Sequence, residues 1–164
     1  LAVFDVTTTT NAEVGNLNGW ELAIQHMFGA SGFGIQANAT LVDGDVDADR
    51  DIINQSFALP GLSDSANFSV FWENDDWSAR VAYNWRDKFL NATNQGGSRS
   101  PQYTDEFGQW DINVTYNLND SWSFLFEGIN LTGEDSLQYR RKENMVIYAY
   151  ELEPRYTLGA MYRF

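Results

Sequence analysis

Apolar and polar residues alternate along several stretches of the chain, each about nine residues long. Residues 20–28 show the pattern clearly, because one set of alternate positions holds Trp20, Leu22, Ile24, His26 and Phe28. The same alternation recurs in residues 33–42, 77–86 and 110–118. Since successive side chains of a strand point to opposite faces of a sheet, this period of two predicts β-strands.

Shorter or less regular strands are predicted elsewhere in the chain. They cover about residues 2–9, 67–73, 121–132 and 155–164. No stretch has a helical period, and the three prolines lie between the predicted strands, where a missing backbone N–H does little harm. The sequence therefore predicts an all-β fold of about eight strands, nearly all antiparallel.

The connections between the predicted strands are of two lengths. Tight turns of Gly, Asn, Asp and Ser occupy residues 29–32, 74–76 and 117–120. Polar stretches longer than ordinary hairpin loops occupy residues 43–66, 87–106 and 133–154. Short turns at one end and long loops at the other are typical of an antiparallel transmembrane β-barrel, with periplasmic turns and extracellular loops.

Composition narrows the classes of function. Ten Lys and Arg against 23 Asp and Glu give a net charge of −13, which opposes binding to nucleic acid or to an anionic membrane surface. The chain has no cysteine and one histidine, which excludes disulfides, thiolate metal sites and multi-histidine metal sites. No apolar run approaches the roughly 18 residues of a membrane-spanning helix. We therefore expect no nucleic-acid partner and no cofactor.

Large aromatic residues stand at both ends of the apolar positions. Trp20 and Phe28, like Trp77 and Trp85, are eight residues apart. Eight steps of about 3.3 Å, tilted by about 40°, rise roughly 20 Å, close to the apolar band of about 25 Å of a membrane barrel. A soluble β-sandwich also alternates but has no reason to place its aromatics there. The predicted aromatic girdle consists of Trp20, Phe28, Trp77, Trp85, Trp110 and Trp122.

The opposite positions of the strands carry charge of both signs. We expect these residues to face an aqueous or plugged lumen, although on a soluble sandwich they would face bulk water. They are Glu21, Arg80, Arg86, Asp111, Glu127 and Arg163.

The last ten residues, RYTLGAMYRF, end on an aromatic residue within the alternation. This ending resembles the C-terminal signal of bacterial outer-membrane proteins, which the barrel assembly machinery reads. By this resemblance the assembly signal consists of Tyr156, Leu158, Ala160, Tyr162 and Phe164.

Other stretches narrow the resemblance to the TonB-dependent transporters, in particular to the C-terminal third of their 22-stranded barrel. Residues 18–22, NGWEL, resemble a recurrent "G-x-E-L" strand, and residues 58–90 resemble a hairpin whose second strand ends in "Y-x-x-R". Residues 109–111 and the GINLT of residues 128–132 resemble the strand pair before the last loop.

The resemblance implies a bacterial outer-membrane receptor that is not an enzyme. Residues 1–164 are then expected to be the C-terminal part of one β-barrel domain, without the plug domain and the N-terminal strands. The whole receptor would import a scarce nutrient, a carbohydrate or a ferric siderophore, through the TonB complex. The alternatives are a complete eight-stranded structural or adhesive barrel, in which strand 155–164 would pair with strand 2–9, and a soluble β-sandwich binding module.

Two long loops contain candidate binding residues. Alternate carboxylates in the first could supply oxygen ligands to Ca²⁺, although Ala48 stands where the EF-hand needs glycine, and a solvated acidic loop is the alternative. These carboxylates belong to Asp43, Asp45, Asp47 and Asp49. In the last loop, residues that could contact a ligand are Tyr139, Arg140, Arg141, Tyr148 and Tyr150. Alternatively, these residues pack the loop and pair with Glu134, Asp135 and Glu143. The sequence contains no catalytic constellation that we recognise.

Overall fold

The computed structural model describes residues 14–53, 55, 57–95 and 99–164 of the chain. Within these ranges the secondary structure consists of strands, turns and bends, and no helix there is long and apolar enough to cross a membrane. The strands are β1 (Leu17–Met27), β2 (Phe33–Gly44), β3 (Ser65–Glu73), β4 (Trp77–Arg86), β5 (Phe89–Gln95), β6 (Ser100–Thr104), β7 (Phe107–Asn117), β8 (Trp122–Ile129), β9 (Ser136–Arg140), β10 (Val146–Tyr150) and β11 (Arg155–Tyr162).

Seven strands form one large antiparallel sheet, which we call the wall. Its order is β1-β2-β3-β4-β7-β8-β11, and these strands correspond to seven of the eight that the sequence predicts. The eighth prediction, residues 2–9, lies outside the described residues. Among the described strands the sheet is open, with β1 and β11 at its edges and β11 paired to β8.

The register of the wall places the apolar positions of all seven strands on one face. Ile24, Ala37, Phe68, Tyr83 and Trp110, for example, are direct partners across five strands. Directly paired residues share a face, so this row is unbroken over these five strands. Of the described strand residues on this apolar face, only Asp43, at the loop end of β2, carries a carboxylate, and none carries a Lys or Arg.

Aromatic side chains gather at the two ends of the apolar face. Next to the tight turns, the rings of Trp77 and Tyr116 stack at 4.3 Å. Next to the long loops, the rings of Tyr83 and Trp110 lie 4.8 Å apart. The six girdle residues divide equally between these ends, with Phe28, Trp77 and Trp122 at the turn end and Trp20, Trp85 and Trp110 at the loop end.

Four short strands form a second antiparallel sheet, which we call the loop sheet. Its order is β10-β9-β6-β5, and it lies in residues 87–106 and 133–154, which the sequence predicts to be long loops without strands. Its pairings contain irregularities, between Leu90 and Ala92 and between Val146 and Tyr148. Short strands with irregular register lack a sustained period of two, which is why the alternation did not reveal them.

The apolar face of the wall can be tested with a pair of neighbouring residues on β4. Val81 lies midway along β4 on the apolar face, and Ala82 lies at the same height on the opposite face. An arginine at the membrane midplane on the lipid-facing side of a barrel strand destabilises the folded barrel by about 2–4 kcal/mol. We therefore expect Val81→Arg to lower the free energy of unfolding by about that amount, measured by denaturant titration of the full-length protein in lipid vesicles.

Ala82→Arg serves as the matched control for this prediction. Its guanidinium would project from the polar face, where the directly paired residue of β7 is Asp111. We expect the Ala82→Arg variant to unfold at a denaturant concentration close to the wild-type midpoint. Equal destabilisation by both substitutions would contradict the assignment of the apolar face to lipid.

Candidate functional site

The three long loops meet at one end of the wall and share a small core. Residues 43–66 contribute Ala58 with the neighbouring Ala48, residues 87–106 contribute Leu90 and Tyr103, and residues 133–154 contribute Tyr139. The rings of Tyr103 and Tyr139 stack at 5.6 Å with an interplanar angle of 18°. Because each loop supplies part of the core, the three loops fold together as one body.

Polar contacts tie the first loop to the loop sheet. The guanidinium of Arg50 lies 5.1 Å from the centre of the Tyr103 ring, and the Tyr103 hydroxyl donates to the carbonyl oxygen of Ala48 at 3.3 Å. Arg141 donates from Nε to the carbonyl oxygen of Arg50 at 2.8 Å and forms an ion pair with Asp51 at 3.0 Å. The Tyr103 hydroxyl and the Ala48 carbonyl are 55 positions apart in the sequence, and the Arg141 contacts span 90 and 91 positions, so the first loop is tied to both of the others.

Burial raises the pKa of both core tyrosines above the ordinary value of 10.0, and the nearby Arg50 charge partly opposes this. Both hydroxyls are therefore protonated at neutral pH. Since the folded pKa lies above the unfolded one, this contribution to stability is complete below pH 10 and is lost as the pH rises through the folded value. The Tyr139 hydroxyl is buried and makes no hydrogen bond within the described structure.

Asn130 anchors the last loop to the wall. It is 4% exposed and has a positive φ of 54°, a conformation that asparagine tolerates better than most residues. Its side-chain amide donates to the carbonyl oxygens of Leu152 at 2.6 Å and Glu134 at 3.0 Å, while its backbone N–H donates to Asp111 at 3.0 Å. The Asn130 side chain thus joins the two ends of the loop, and its backbone N–H attaches them to Asp111 of β7.

A cavity of about 390 Å³ lies between the loop end of β2 and the start of β5. We call it the mouth cavity. Its volume falls within the range of small-molecule sites. Leucines and aromatic rings form part of the lining, together with charged residues of both signs. The charged residues are Asp43, Asp47, Asp87, Arg50 and Lys88.

Four side-chain amides form a row across the polar face of the wall. Asn38, Asn67, Asn84 and Gln109 are direct partners on β2, β3, β4 and β7, and we call them the amide row. The Asn67 amide donates to Asn38 at 2.9 Å, and the Asn84 amide donates to Asp111 at 3.1 Å. The polar face is therefore lined here by neutral groups that can both donate and accept hydrogen bonds.

The mouth cavity extends around the loop end of β2, because its lining includes Val42 on the polar face and Asp43 on the apolar face. Val42, which lines the cavity, and Asn38 of the amide row are four residues apart on β2, so they share a face. Four strand residues span about 13 Å.

The predicted ligand residues of the last loop do not form one group. Tyr139 is 1% exposed, which fits the packing alternative. Arg141 pairs with Asp51 of the first loop, whereas the packing alternative named acidic partners within its own loop. Tyr148 and Tyr150 are exposed on β10 with rings 6.2 Å apart. Arg140 is half-buried on β9 and directly opposite Gln102.

The acidic run of the first loop is held by hydrogen bonds. The Asp45 carboxylate accepts from the backbone and the side chain of Asn16 at 2.7 and 2.6 Å, and these bonds lower its pKa. Asp49 accepts from the backbone N–H of Asp51 at 2.8 Å. Throughout the part of the chain that is described, no three His, Cys, Asp or Glu side chains are placed to hold a metal ion. The calcium hypothesis therefore has only the sequence spacing in its favour.

Neither the mouth cavity nor the amide row is predicted from the sequence. Asn38, Asn67 and Asn84 each occupy a polar position of a predicted strand, so a hypothesis about register could have aligned them. The cavity depends on contacts between loops that are distant in sequence, and the alternation of residues along one strand carries no information about those contacts.

The shared core of the loops can be tested at Tyr139. Removing only the hydroxyl in Tyr139→Phe deletes a buried group without a hydrogen bond, so we expect unchanged or slightly raised stability. Removing the ring in Tyr139→Ala should destabilise the loop sheet by about 3–5 kcal/mol. Hydrogen exchange of residues 87–106 and 133–154 measures both effects, and equal protection in the two variants would contradict the role of this ring.

Comparison with known proteins gives one family. The sequence model described as "TonB dependent receptor-like, beta-barrel" matches residues 2–131, more than three quarters of the chain. The matched region contains β1 to β8 and ends before the loop that carries β9 and β10. Neither the curated proteins nor the solved structures give a match.

Proposed function

The chain belongs to the TonB-dependent receptor-like β-barrel family, and we propose that it is the C-terminal part of a receptor that imports a scarce nutrient across the bacterial outer membrane. The family consists of outer-membrane receptors and transporters rather than enzymes. Residues 1–164 would belong to one barrel domain, with the plug and the remaining strands supplied by the rest of the same receptor.

The wall supports a location in lipid. Its ladders satisfy the backbone N–H and C=O groups between neighbouring strands, which is the condition for a sheet in hydrocarbon. Its apolar face exposes large side chains such as Leu22, Phe68 and Leu158. Such a large apolar surface is stable only when lipid or another apolar partner shields it from water. The aromatic rings at its two edges match the aromatic girdles that a membrane barrel places at the two membrane interfaces.

The mouth cavity is the observation that supports ligand capture. It lies among the long loops, which are extracellular in a barrel of this orientation. A small-molecule nutrient, either a carbohydrate or a ferric siderophore, would bind there. The TonB complex would then act through the plug of the same receptor, and the plug's movement would admit the nutrient to the periplasm.

Energy-dependent uptake tests this proposal. We expect a strain that carries the full-length receptor to accumulate a labelled neutral oligosaccharide or a ferric siderophore, and to lose this uptake when TonB is deleted. A deletion of the receptor gene, complemented from a plasmid, is the control for indirect effects. Uptake that persists without TonB would contradict the proposal, as would the absence of receptor-dependent uptake for both classes of nutrient.

The C-terminal residue is proposed to take part in barrel assembly. Phe164 is fully exposed beyond β11, and its ring lies 6.4 Å from that of Tyr162. We expect Phe164→Ser to reduce several-fold the amount of folded receptor in the outer membrane, measured by heat-modifiable gel mobility. Phe28→Ser is the matched control, because Phe28 is an exposed aromatic at the same end of the wall. Equal losses in both variants would indicate a general girdle effect instead of a terminal signal.

A further inference from the structure

We infer that the mouth cavity binds a neutral polyhydroxylated ligand, an oligosaccharide, and not an anionic ferric chelate, and that the amide row assists the passage of this ligand along the wall. This inference rests on the proposed function, since it specifies which class of nutrient the receptor would import. It depends on the charges around the cavity, on the contacts of its two cationic side chains, and on the chemistry of the polar face of the wall.

The charges of the mouth cavity oppose an anion. Three carboxylates, those of Asp43, Asp47 and Asp87, face the cavity against two cationic side chains. Of these two cations, Lys88 lies 3.4 Å from the Glu143 carboxylate, and the guanidinium of Arg50 is held over the Tyr103 ring. With a net charge of −13 for the chain, an anionic ligand would meet repulsion both on approach and in the cavity.

The same groups suit a sugar. Carboxylates accept hydrogen bonds from hydroxyl groups and do not require a charged partner. The cavity also contains leucine side chains, among them Leu59 and Leu62, against which the C–H surface of a sugar ring can pack. A binding site with a few polar groups on an apolar lining can therefore orient a neutral ligand through its hydroxyls.

The amide row continues this chemistry along the wall. Each amide has two donor hydrogens and an acceptor oxygen. Asn67 donates to Asn38, and both Asn84 and Gln109 donate to Asp111, so these hydrogen bonds use only part of the capacity of the row. The hydroxyl groups of an oligosaccharide can hydrogen-bond to one amide of the row and then to the next. The amide row carries no charge, and Arg86, two residues from Asn84 on the same face of β4, already donates to the carbonyl oxygen of Gly61 at 3.0 Å and lies over the Phe89 ring. An anionic chelate would therefore lose water at the row without gaining a cation from it.

Binding to the purified full-length receptor tests the ligand class. The probes are neutral gluco-, xylo- and chito-oligosaccharides of two to six units, a ferric catecholate and a ferric hydroxamate, each followed by titration calorimetry. We expect at least one neutral oligosaccharide to bind, with an affinity that changes less than about two-fold between low and high salt, because no ion pair forms.

Substitutions at Asp47 separate hydrogen bonding from charge. Asp47→Asn keeps an acceptor oxygen and should change the affinity for the oligosaccharide by less than about three-fold, whereas Asp47→Leu should weaken it by about ten-fold. An anionic ligand would instead bind more tightly to Asp47→Asn, and that result would overturn the inference. Asp75→Leu, in the tight turn at the opposite end of the wall, is the matched control.

Substitution of Asn67 tests the amide row. Asn67→Leu should lower the rate of oligosaccharide uptake several-fold and leave the affinity at the mouth cavity unchanged, while Val70→Leu on the apolar face should alter neither. If Asn67→Leu changes only the stability of the folded receptor, another part of the receptor covers the row, and its role in sugar passage is overturned.

Different results would contradict the ligand class and the proposed function. TonB-dependent uptake of a ferric chelate, without binding of any oligosaccharide in the panel, would overturn the inference and leave the proposed function intact. Binding of an oligosaccharide without TonB-dependent uptake would leave the ligand class intact and contradict the proposed function.

Discussion

Backbone hydrogen bonding between antiparallel neighbours is the constraint on which the wall depends. In hydrocarbon an unpaired N–H or C=O costs several kcal/mol, so the strands must pair along their full length. Full-length pairing fixes the register, and the register decides which side chains share a face. The continuous apolar surface and the continuous polar surface of this chain are therefore two results of the same ladders.

The loop end is built on a different principle. The loop sheet is short and irregular, and its core of Ala58, Leu90, Tyr103 and Tyr139 is small. Side chains from distant loops complete it, notably Arg50 over Tyr103 and Arg141 on Asp51. Packing between loops, rather than long regular pairing, positions the mouth cavity above the wall.

The difference between these two regions explains what could be predicted from the sequence. Strands of the wall alternate for about nine residues, so seven of the eight predicted strands are found and the division of the girdle follows from them. β5, β6, β9 and β10 are short and contain irregularities, and their pairing depends on contacts that alternation does not encode. Tyr139 shows the same limit, because its sequence neighbours Arg140 and Arg141 suggest an exposed loop, whereas stacking on Tyr103 buries it.

The stacked tyrosines also bear on the thermodynamics of binding. Flexible loops that close on a ligand lose conformational entropy, and this loss reduces affinity. Here the loops are already ordered by their own core and by the anchor at Asn130, so most of that entropy is lost during folding of the receptor. Under the proposed function, a nutrient entering the mouth cavity would meet a preorganised surface, so a dilute ligand would be captured without a large rearrangement of the loops.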